Sequence, residues 1–113
     1  YQLAQFDQDQ LALARARLAV QLAPKRPESW AILGSLYLET NQAEKAIPSL
    51  KQASSLDPKN AAIYFALGTA YFQKQQYAES INQIQAGLKI KPDTPGALFD
   101  MGNAHLMLRQ NRE

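Results

Sequence analysis

His105 is the only histidine, and it is the first place to look for surface chemistry. An imidazole serves as a general base or metal ligand only when a second group converges on it. Its local candidates, Asp100 and Asn103, stand five and two positions away, neither at the three or four that shares a helix face. Acidic residues are otherwise dispersed. Asp7 and Asp9 form the one close pair and fall in an expected turn between two helices, where carboxylates are solvated and help to start the next helix. The chain has no cysteine, so thiolate ligands, cysteine nucleophiles and disulfides are excluded. It also has no Gly-rich phosphate loop, no serine nucleophile elbow and no His/Glu metal pair. No catalytic, metal or cofactor site is expected, and His105 is read as a packing residue.

The elements that position these residues are helices. Apolar residues recur at three-and-four spacing over 28–40, 43–56, 61–74 and 77–90. Asn60, after Asp57-Pro58-Lys59, is an expected N-cap, and Thr94 before Pro95 places a hydroxyl ahead of a first-turn proline. Pro48 falls near the first turn of its helix, where a missing N–H costs little, so at most a modest bend is expected. Of the 113 residues, 46% are hydrophobic, enough to bury a core. Lys and Arg number 12 against 10 Asp and Glu, for a formal charge of +2, with no basic block to attract nucleic acid or a membrane surface. The longest apolar runs, such as 61–70, are too short for a bilayer, so no membrane insertion by these residues is expected. The compartment is left open, cytoplasmic favoured, with a flanking anchor or signal as the alternative.

A single period organises the helices. Pro24, Pro58 and Pro92 stand 34 residues apart, as do Gly34, Gly68 and Gly102. Trp30, Tyr64 and Leu98 keep the same interval, and so do Tyr37, Tyr71 and His105. One unit reads Trp30-x-x-Leu33-Gly34-x-x-Tyr37, then Ala46-x-x-x-Leu50, then Pro58. The next reads Tyr64-x-x-Leu67-Gly68-x-x-Tyr71, then Ser80-x-x-x-Ile84, then Pro92. Period and signature positions resemble the tetratricopeptide repeat (TPR) over almost the whole chain. The departures are Leu50 and Ile84 where an aromatic is usual, and Ser80 where alanine is usual.

The resemblance implies an all-α fold, a right-handed superhelical solenoid of antiparallel helix pairs. It implies one TPR domain over 1–113: a partial first repeat at 1–26, whole repeats at 27–60 and 61–94, and the first helix of a fourth at 95–113. The frame reads as a fragment of a longer array. Mid-helix glycine costs about 1 kcal/mol against alanine, so the three glycines require close helix packing, against small residues such as Ala46, Ser80, Ala53 and Gly87. Trp30, Tyr37, Tyr64 and Tyr71 are read as core.

The resemblance further implies a protein-binding scaffold with a concave groove lined by the first helix of each unit. Carried over position by position, the groove residues are Leu38, Phe65, Thr69, Phe72, Gln73, Phe99, Asn103, Leu106 and Met107. Members that bind chaperone tails hold a peptide carboxylate with Lys, Arg and Asn. Only Asn103 matches that set here, which points to an apolar peptide or amphipathic helix as the partner. Two alternatives stand beside this reading: the apolar groove is covered by the protein's own flanking helices, or exposed ends associate into a homo-oligomer. Arg15, Arg17, Lys45, Lys51 and Lys89 are read as a solvated outer face.

Overall fold

A computed structural model describes residues 3–112 as six helices: α1 (Leu3–Leu22), α2 (Pro27–Glu39), α3 (Ala43–Leu56), α4 (Ala61–Gln73), α5 (Tyr77–Ile90) and α6 (Pro95–Arg112). Residues 1, 2 and 113, counted above in the outer partial repeats, lie outside the described residues. The helices gather into two compact units, α1 to α3 and α4 to α6. In the first unit α2 packs on both α1 and α3; in the second α5 packs on both α4 and α6, and α6 also touches α4.

Helix ends follow local chemistry. Asn60 caps α4, its side chain accepting from the Ala62 N–H at 3.1 Å. The Thr94 hydroxyl, just before α6, donates to the Lys91 carbonyl at 3.0 Å. α2 and α4 end in the same device. After α2, Asn41 takes φ 60°, the Gln42 N–H donates to the Tyr37 carbonyl at 2.7 Å and the Asn41 N–H to that of Leu38 at 3.1 Å. After α4, Gln75 takes φ 63°, with Gln76 donating to Tyr71 and Gln75 to Phe72, both at 2.9 Å. Each pair of bonds satisfies carbonyls that a helix end otherwise leaves unpaired, and the left-handed residue reverses the chain into the next helix.

One expected turn is missing. Asp7 and Asp9 lie inside α1, where Gln5 Nε2 donates to Asp9 Oδ1 at 3.1 Å. Asp7 is the repeat counterpart of Asn41, but among the described residues only Asn41 and Gln75 have positive φ outside glycine. The surrounding leucines, alanines and glutamines are strong helix formers, with no glycine or proline from 3 to 22, so the helix continues through both carboxylates. α3 likewise runs unbroken through the exposed Pro48.

Gly34 and Gly68 do sit at close helix contacts, chiefly against Leu50 and Ile84 rather than the small residues expected, whereas Gly102 has no atom within 4 Å of an added Cβ, which corrects the expectation of close packing there. A Cβ on Gly34 would lie 2.5 Å from Leu50 Cγ, and one on Gly68 would lie 2.6 Å from Ile84 Cγ1. The branched residue of each Ala/Ser-x-x-x-Leu/Ile step therefore fills the space the glycine leaves. Leu50 is fully buried there, a burial that contributes about 2 kcal/mol. Ser80 is also fully buried, and its hydroxyl donates to the Gly68 carbonyl at 2.7 Å, which accounts for a polar residue in an alanine slot. Tyr37 and Tyr71 are buried as expected. Trp30 and Tyr64 are only half-buried, and the Trp30 indole N–H donates to the Pro24 carbonyl at 2.8 Å, tying the end of the α1 segment to α2.

Candidate functional site

The α4 to α6 unit contains a cleft of about 130 Å³. It is lined by Gly68, Thr69, Phe72 and Gln73 of α4, Ser80 and Ile84 of α5, and Asp100 and Asn103 of α6. A void of roughly this size takes one ring or one branched aliphatic group. Asp100, exposed at the rim, is the only charged lining residue.

Four of the nine expected groove residues meet here: Thr69, Phe72, Gln73 and Asn103. The others are placed differently. Phe65 is half-buried and lies where a Cβ on Gly87 would be, 2.5 Å from its Cε1, so its ring is used within the α4–α5 contact. Met107 is half-buried against the Tyr77, Ile81 and Ala104 cluster. Phe72 leans on the same cluster, its ring edge-to-face with Tyr77 at 5.1 Å between centroids. Phe99 and Leu106 are exposed on α6, and Leu38 is half-buried in the α1 to α3 unit. Gly68, Ser80, Ile84 and Asp100 line the cleft without having been expected there. Three of them belong to the glycine contact, and the 34-residue alignment of Gly68 with the Ser80-x-x-x-Ile84 step was the available signal.

His105 is exposed, which corrects its reading as a packing residue. Its counterparts Tyr37 and Tyr71 are buried on helices paired with a second helix, α3 or α5. Gly102, on the same side of α6, has no atom within 4 Å of an added Cβ. A second, wider cleft of about 480 Å³ lies in the α1 to α3 unit, with Phe6, Asp9 and Gln10 facing Glu39, Thr40, Asn41 and Gln42. Among the described residues no three His, Asp or Glu side chains cluster as a metal site, and no helix is long and apolar enough to cross a membrane.

The family model of the TPR repeat matches residues 34–75 and again 68–108. The chain belongs to the TPR family. It is thus a helical repeat protein of a family of protein-interaction scaffolds. Solved TPR structures share the fold. The first TPR domain of human RPAP3 is 17% identical, with a TM-score of 0.89 over 96% of this chain and 85% of that one. The first TPR of Spaghetti (RPAP3), bound to the HSP90 peptide SRMEEVD, is 17% identical, with a TM-score of 0.87 over 93% and 83%. MamA is 25% identical, with a TM-score of 0.84 over 88% of this chain and only 54% of MamA, so the chain spans about half of that protein. No protein of curated function matches the sequence.

Proposed function

We propose that this TPR protein binds a partner through the α4 to α6 cleft, which receives one apolar side chain of a neutral or basic peptide segment. The cleft's lining carries the reading. Phe72 and Ile84 offer an apolar seat, while Thr69, Gln73 and Asn103 offer neutral hydrogen-bonding groups to a peptide backbone. An acidic peptide such as SRMEEVD, the ligand of Spaghetti, would meet Asp100 and no lining cation here. Like charge at a desolvating site disfavours that class of ligand.

The packing determines which variant tests this. Glutamates at Phe65 and Phe72 would bury charge against Gly87 and Tyr77 and damage the fold as well as the site. Thr69→Trp is cleaner, because Thr69 is exposed and an indole there fills the cleft. The probes are fluorescent heptapeptides with a central Ala, Val, Leu or Phe and acidic, neutral or basic flanks, followed by anisotropy. Leu and Phe peptides with neutral or basic flanks should bind, and Thr69→Trp, with an unchanged circular dichroism spectrum, should lose them. Equal binding by wild type and Thr69→Trp would refute the assignment.

A further inference from the structure

We infer that the partner of the α4 to α6 cleft is an extended segment with an arginine or lysine within two residues of its apolar anchor, and that Asp100 selects that cation. The inference rests on the cleft reading above and adds to it the backbone form and the charge of the ligand.

Asp100 and Asn103 stand three apart on α6 and so share one face of that helix. The packing of α6 decides which face this is. Ala97 and Ala104 are buried, and Met101, Met107 and Leu108 rest on the cluster of Tyr77, Ile81 and Ala104. With those side chains against α5, Asp100 and Asn103 line the cleft. Among the described residues, no side-chain hydrogen bond or ion pair engages Asp100, Asn103 or Gln73. An amide carries both a donor and an acceptor, so it can hold a backbone N–H and C=O together. A helical ligand has already paired those groups internally, so the amides of Asn103 and Gln73 favour an extended one.

Charge then selects the neighbour of the anchor. Asp100 is the only charged residue of the lining, and Lys74, next to Gln73, lies at the C-cap of α4 and outside it. A carboxylate partly covered by a bound segment gains most from a cation held against it, arginine above all because its planar fork pairs with both oxygens. Asp100 is about 4.5 Å along the helix axis from Asn103, and an extended chain advances about 3.3 Å per residue. A basic side chain one or two residues from the anchor therefore reaches it. The attraction is local, because the whole chain carries a formal charge of +2 and its net field repels a basic segment.

The test uses the 113-residue chain and fluorescent heptapeptides with a central Leu, Gln elsewhere, and one Arg, Gln or Glu placed one or two residues before or after the Leu. Peptides this short hold no helix of their own in water. In at least one placement the Arg peptide should bind about fivefold tighter than the Gln peptide, and the Glu peptide more weakly than either. The preference should fall below about twofold at about 0.5 M salt. Asp100→Asn should bring the Arg-to-Gln ratio to about one, and Asp100→Arg should turn the preference toward Glu. Asp100 is exposed, so both variants should keep the circular dichroism spectrum. Glu44→Gln removes the same charge from α3 and should leave the preference as it is. Equal binding of Arg and Gln peptides by wild type, or an undiminished preference in Asp100→Asn, would overturn this inference. The cleft assignment survives that result where Thr69→Trp still abolishes binding of the Gln-flanked Leu peptide. A wild-type chain that binds none of the peptides overturns both.

Discussion

Replacing Gly68 and Gly102 by alanine, one at a time, compares the same repeat position in opposite surroundings. Both lie in the α4 to α6 unit, so both substitutions act on the same compact body. Alanine in a helix interior gains about 1 kcal/mol over glycine wherever the new methyl has space. At Gly102 no atom lies within 4 Å, so the full gain is expected. At Gly68 the methyl would meet Ile84 Cγ1 at 2.6 Å, Ile84 Cδ1 at 3.2 Å and the Ser80 carbonyl oxygen at 3.4 Å. Ile84 and Ser80 are buried, and Cγ1 is near the root of its side chain, so relief requires helix movement. Overpacking of this kind costs about 2–3 kcal/mol, leaving Gly68→Ala about 1–2 kcal/mol less stable than wild type. The two variants should differ by about 2–3 kcal/mol, or roughly 10 °C in Tm. Urea unfolding followed by far-UV circular dichroism measures both. Ile84→Ala should cost less in the Gly68→Ala background than alone, by about 1 kcal/mol or more. Stability of Gly68→Ala at or above wild type, or strict additivity in the cycle, would refute the account of these glycines.

Two further substitutions probe local devices. Gln75→Gly should raise stability by up to about 1 kcal/mol, since a left-handed conformation strains any side chain and glycine relieves it, whereas Gln75→Val should lower it; thermal melts give the sign. Ser80→Ala should cost about 1 kcal/mol through loss of its buried bond to the Gly68 carbonyl, read from the urea midpoint at unchanged slope.

Much of the fold is legible because the period aligns residues that solve the same packing problem. The four interior helices begin and end within a residue of expectation, since Asn60, the prolines and the polar turns act locally. What escaped depends on neighbours. Asp7 and Asp9 look like turn residues by type, yet the leucines, alanines and glutamines around them carry the helix through. His105 fills a tyrosine slot, but a slot is buried only where a second helix covers it. Among the groove residues, Thr69, Phe72, Gln73 and Asn103 converge, while Phe65 is drawn onto Gly87 by a void that only the paired helix reveals. Met107 points into the core because α6 rotates its Ala97 and Ala104 stripe inward, a choice made by α5 rather than by α6 alone.

The Trp30 bond to the Pro24 carbonyl also makes the protein a two-channel reporter. Trp30 is the only tryptophan, it sits in α2, and its indole is held against the end of the α1 segment. Its emission maximum and quenching therefore track the α1 to α3 unit alone, whereas the helical dichroism sums over both units. A difference between the two unfolding midpoints gives the melting order of the units directly, with no label introduced.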